Sequence, residues 1–147
     1  ESCTRQLLNN YEKNNRLMVS VNKVNLKNVN KYGILSGKMI SDDSFEVSIV
    51  KEKPEVAYAK DNLYTIIDNK KEYFAVFGEY ILTPRVFEKL LENIKNEVTE
   101  NGEYQLTSVL EQVREEEGMI AFIPDGKMLD IGNVSSYKET LLEKMKD

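Results

Sequence analysis

The sequence contains no histidine. That removes Ser-His-Asp and Cys-His nucleophilic schemes, imidazole general-base catalysis and histidine-rich metal sites. Any chemistry must come from carboxylates, lysine, arginine, backbone amides or a hard metal ion. The most suggestive such residues end one apolar run, Val47-Ser48-Ile49-Val50-Lys51-Glu52-Lys53-Pro54. Pro54 cannot donate to a sheet ladder, so the strand should stop before it and leave Glu52 and Lys53 at its carboxyl end. On a regular strand their side chains point to opposite faces. In open α/β sheets ligands bind at that edge; taken alone, a solvated strand end with a charged turn accounts for the same residues more simply. Asp130 follows an apolar hairpin strand and precedes Ile131-Gly132 and a helix start, where a carboxylate suits a hard cation or a plain Asx turn. Tyr32-Gly33 is either a strand kink or a backbone amide offered to a ligand hydroxyl. Neither glycine-rich phosphate loop, G-x-G-x-x-G or G-x-x-x-x-G-K-[ST], is present.

The elements that position these residues follow from periodicity and punctuation. Ser2 to about Asn14 reads as a helix with Gln6, Leu7, Leu8 and Tyr11 on one stripe. Leu17 to Val24 alternates as a strand, Asn25 to Asn30 is a turn or one helical turn, and Tyr32–Met39 and Phe45–Lys51 make an antiparallel hairpin across Asp42-Asp43-Ser44. Val56 to Lys60 suits a short helical turn, and Leu63 to Ile67 a short β-branched run. Phe74 to Leu82 is the clearest strand, with a bulge expected at Gly78. Thr83-Pro84 starts a helix with threonine as N-cap and a buried stripe of Val86, Phe87, Leu90, Leu91 and Ile94. A helix from Leu106 to Glu117 ends at Gly118. Met119–Pro124, the Asp125-Gly126 turn and a return over Lys127–Asp130 form a hairpin, followed by a last helix capped by Asn133. The order predicts an α/β fold, a mixed sheet with flanking helices.

The chain of 147 residues suits one domain, with 41% hydrophobic and 31% charged residues. A net charge of −5 gives no electrostatic reason to expect nucleic acid or an anionic membrane. The single cysteine, Cys3, excludes an internal disulfide and a thiolate zinc cluster, and points to an intracellular, cytoplasmic protein.

In order along the chain, Tyr32-Gly33-Ile34, Glu52-Lys53-Pro54, Gly78-Glu79-Tyr80-Ile81-Leu82-Thr83-Pro84, Gly102-Glu103-Tyr104-Gln105-Leu106-Thr107 and Asp130-Ile131-Gly132-Asn133 resemble the C-terminal part of the bacterial UTP–glucose-1-phosphate uridylyltransferases. The resemblance implies the C-terminal half of a nucleotide-diphospho-sugar transferase-like fold over residues 1–147, without the N-terminal nucleotide-binding half. It implies transfer of a uridylyl group from UTP to glucose 1-phosphate, with magnesium as cofactor. Glu52 would bind sugar hydroxyls, Lys53 the sugar phosphate and the Gly33 amide another hydroxyl. Asp130 would be a magnesium ligand, with Lys53 and Asp130 as the catalytic residues. The 147 residues alone would be inactive, and an incomplete sheet edge would favour a homo-oligomer. Two positions depart from the family pattern. Glu72-Tyr73-Phe74 replaces Ser-Asn-Leu, which leaves the sugar open, and Ser108 replaces the aspartate after Leu-Thr. The alternatives are transfer to a different sugar phosphate and a non-catalytic interaction module of the same fold.

Overall fold

The structure, a computed structural model, describes residues 1–100, 102–126 and 134–145. Six strands form a mixed sheet: β1 (Met18–Val24), β2 (Gly33–Met39), β3 (Ser44–Glu52), β4 (Thr65–Ile67), β5 (Lys70–Ile81) and β6 (Ile120–Phe122). Their order is β1-β6-β3-β2-β5-β4. Only β1 and β6 run parallel, and the other pairs are antiparallel. β5 also pairs with β1, so the pairings close into a ring and only β4 hangs outside it. The expected incomplete edge is reduced to β4 and to stretches such as β3 beyond Glu46, because β5 is long enough to serve β1, β2 and β4 along its length.

The helices are α1 (Cys3–Asn14), α2 (Val56–Asn62), α3 (Pro84–Lys95), α4 (Leu106–Glu117) and α5 (Val134–Lys144), with a short 3-10 turn over Leu26–Lys31. Strand alternation divides the core into layers. Val19 and Val21 of β1 join Leu35, Phe45, Val47, Val50 and Phe74 beneath Val86 of α3 and Val109, Leu110 and Val113 of α4. Met18, Ile120 and Phe122 pack instead against Leu7 of α1. Ile34 and Ala75 pack with Val29, Ala59 and Leu63 from the 3-10 turn and α2. Among the described residues no helix is long and apolar enough to cross a membrane.

Several sequence expectations change in the fold. Leu63 ends α2 and is buried, and only Thr65–Ile67 form a strand. That strand returns through Asp68 and Asn69, with φ of 49° and 60°, straight into Lys70–Glu72. Paired left-handed residues suit the twist of a tight hairpin, so β5 starts earlier than Phe74. Thr83 stands at the N-cap of α3 without capping it; its hydroxyl donates to Glu117 Oε2 at 3.0 Å and so ties α3 to α4. The α3 stripe is only partly buried. Val86 is covered, whereas Phe87, Leu91 and Ile94 are 56%, 58% and 48% exposed. The expected Lys127–Asp130 return and the Asn133 cap lie outside the described residues.

Candidate functional site

The β2–β3 hairpin sets Gly33, the first residue of β2, directly opposite Glu52, the last of β3. One further hydrogen bond, from Lys53 N–H to Tyr32 O at 3.0 Å, carries the pairing past the strand end. Lys53 has φ of 40°, in the left-handed region. For a residue with a Cβ this costs about 1–2 kcal/mol, a kind of strain that clusters at ligand sites. It also breaks the strand alternation. Glu52 and Lys53 do not part to opposite faces, as a regular strand would require; Lys53 Nζ lies 3.9 Å from Glu52 Oε1. Pro54 follows, buried and outside the ladder.

The Glu52 side chain is only 16% exposed, and its Oε2 accepts a hydrogen bond from Thr107 Oγ1 at 2.7 Å. Thr107 lies in the first turn of α4. A Cβ on residue 33 would stand 3.0 Å from Glu52 Oε2, 3.3 Å from Thr107 Oγ1 and 3.4 Å from Val76 Cγ2. The carboxylate thus lies close against bare Cα, an approach that glycine permits. Tyr80 of β5 belongs to the same neighbourhood: burial, and then the negative charge of Glu52, push its phenol above the usual range.

α4 also holds the strand end from the side. β6 pairs with β3 only over Ser44–Glu46, so among the described residues the far half of β3 has no strand on that edge. Glu111, one turn after Thr107, accepts from Val50 N–H at 2.8 Å. Arg114 donates to both Glu111 oxygens, at 2.8 and 3.0 Å, and fixes that carboxylate in turn. Ser108, at the position that departs from the family pattern, donates its hydroxyl to Glu100.

Of the residues expected to carry chemistry, Gly33, Glu52 and Lys53 come together here, whereas Asp130 lies outside the described residues. Among the described residues no group of three or more His, Cys, Asp or Glu side chains could hold a metal ion. Thr107 and Tyr80 joined the site only through the fold. Both stand in the motifs that carried the resemblance, but Thr107 is 55 residues from Glu52, and nothing local in the sequence links them.

The described residues form a mixed α/β sheet flanked by helices, with a hydroxyl-bound carboxylate and a lysine at one strand end. Residues 3–146 match the nucleotidyl transferase family, and the chain belongs to it. It is similar to the UTP–glucose-1-phosphate uridylyltransferase of Pseudomonas aeruginosa, with 32% identity over 139 residues that cover 95% of this chain and 45% of that one. The enzyme of the same name from Bacillus subtilis is 30% identical over 139 residues, covering 95% and 43%. Among solved structures, an apo UDP-glucose pyrophosphorylase superposes with a TM-score of 0.81 and 30% identity, over 99% of this chain and 48% of that one. A UDP-glucose pyrophosphorylase complexed with UDP-glucose gives 0.80 and 30%, over 99% and 50%. The chain spans about half the length of the relatives it matches.

Proposed function

We propose that these residues are the sugar-phosphate-binding part of a uridylyltransferase that joins UTP and glucose 1-phosphate into UDP-glucose and pyrophosphate. The observation that carries the reading is the convergence of Gly33, Glu52 and Lys53 at one strand end, in a chain whose backbone follows that of a UDP-glucose-bound pyrophosphorylase. In this reading Glu52 accepts from sugar hydroxyls, and Lys53, 61% exposed, balances the sugar phosphate as a point charge. The Gly33 amide meets a further hydroxyl. The phosphate oxygen of the sugar attacks the α-phosphorus of UTP, the bond to the β-phosphate oxygen breaks, and pyrophosphate leaves. Such a transfer rests on positioning and charge neutralisation. Asp130 would be a magnesium ligand on the strength of the resemblance alone, since the described residues form no metal cluster.

A second reading, a non-catalytic interaction module, draws on the apolar face that α3 leaves exposed at Phe87, Leu91 and Ile94; the expected homo-oligomer would use the same surface. Titration of the 147-residue chain with glucose 1-phosphate, followed by amide NMR, separates the two. The enzyme reading expects shifts at Gly33, Glu52 and Lys53 that inorganic phosphate does not reproduce, with no UDP-glucose formed on adding UTP and magnesium. Absence of those shifts refutes it.

A further inference from the structure

We infer that Thr107 fixes the plane of the Glu52 carboxylate, so that one oxygen faces substrate in a set direction, and so acts as a positioning residue for sugar recognition; this rests on the sugar-phosphate reading above. A glutamate carboxylate has two equivalent oxygens and a broad terminal torsion. Nothing in the side chain itself decides the plane in which they face a ligand. Here the decision comes from outside. Oε2 accepts from Thr107 Oγ1 at 2.7 Å and lies on the side walled by the Gly33 Cα, where even a methyl carbon would come within 3.0 Å. Among the described residues Oε1 is left with Lys53 Nζ at 3.9 Å, in ion-pair range but too long for a hydrogen bond. The free oxygen is therefore the one beside the ammonium group. A sugar hydroxyl on Oε1 and an anionic substituent on Lys53 can then be read together.

Thr107 is itself well anchored. Val109, Leu110 and Val113 of the same helix are buried in the main core, and Glu111 grips the Val50 amide at 2.8 Å. The hydroxyl is thus presented from a fixed frame, to a Glu52 side chain that is only 16% exposed.

A merely structural staple and a positioning residue differ in what they control. A staple changes stability. A positioning residue changes how sharply the site distinguishes sugars, because a site built to bind a particular hydroxyl rejects an analogue lacking it. The test measures affinities of the 147-residue chain for glucose 1-phosphate and its four monodeoxy analogues by NMR titration, for the unmodified chain, Thr107→Val and Thr107→Ser. We expect the unmodified chain to penalise at least one deoxy analogue. Thr107→Val should reduce that discrimination about tenfold, the scale of one charge-assisted hydrogen bond, and Thr107→Ser should restore it. Thr107→Ala serves the same comparison if the valine variant does not fold. Binding with discrimination unchanged in Thr107→Val, whatever its thermal stability, overturns this inference and leaves the sugar-phosphate reading standing. No sugar-phosphate binding by the unmodified chain overturns both.

Discussion

Replacing Gly33 with alanine should weaken ligand binding at a modest cost in stability. Gly33 is not among the positive-φ glycines, so its backbone accepts alanine without strain, and shortening the list of unfolded conformations stabilises by about 0.4–1 kcal/mol. Against this stands the new methyl. Its carbon would lie 3.0 Å from Glu52 Oε2, 3.3 Å from Thr107 Oγ1 and 3.4 Å from Val76 Cγ2. Two of these are the ends of polar side chains, and the carboxylate can retreat by a few tenths of an ångström or swing away. Either motion spoils the 2.7 Å bond from Thr107. A hydrogen bond to a charged group is worth about 1.5–3 kcal/mol, so the net destabilisation is about 0.5–2.5 kcal/mol. For a domain of this size that is a fall of about 2–10 °C in Tm. Thermal unfolding followed by circular dichroism measures it, and NMR titration with glucose 1-phosphate should show at least a tenfold loss of affinity. Two results would refute the reasoning. Unchanged affinity would mean that the carboxylate's place does not matter to the ligand. A loss of stability above about 4 kcal/mol would mean that the backbone gives way rather than the side chain.

Two further outcomes follow from the same geometry. Lys53→Gly and Lys53→Ala should both lose sugar-phosphate affinity, but the glycine variant should be up to about 1 kcal/mol the more stable, because relief of the left-handed φ of 40° exceeds the extra chain entropy of glycine; urea midpoints with alanine above glycine would contradict this. Glu116 is held down to about 2 from 4.5, first by its hydrogen bond from Arg85 and then by that from Lys89. A depressed carboxylate contributes stability that is present above pH 4.5 and is lost as pH falls through about 2. The Tm gap between the unmodified chain and Arg85→Ala should therefore close across that window, and at low salt most clearly; parallel curves through it would show that this α3–α4 network does not act on stability.

The sequence by itself determined the elements whose signals are local. Alternating apolar residues marked β1, the Asp42-Asp43-Ser44 turn marked the hairpin of β2 and β3, Thr83-Pro84 marked the start of α3, and Gly118, with φ of 75°, marked the end of α4. It also pointed to the strand end at Glu52-Lys53-Pro54, since a proline after charged residues stops a strand whatever surrounds it. The family-bearing motifs were legible because they are short contiguous strings. Tertiary structure decided the rest. The α3 stripe was predicted as wholly buried, yet periodicity says only which residues share a face, and how far α4 covers that face left Phe87, Leu91 and Ile94 exposed. Thr83 looked like a cap, but Glu117, 34 residues later, took its hydroxyl instead. Regular strand geometry sent Glu52 and Lys53 to opposite faces, and a single left-handed φ brought their charged groups within 3.9 Å. Thr107 carried no sign of its link to Glu52, because that contact exists only once α4 packs against β3. Local rules set the conformation of a segment through its own backbone and side-chain sterics, whereas the partner of a polar group depends on which distant segment packing brings within hydrogen-bond reach.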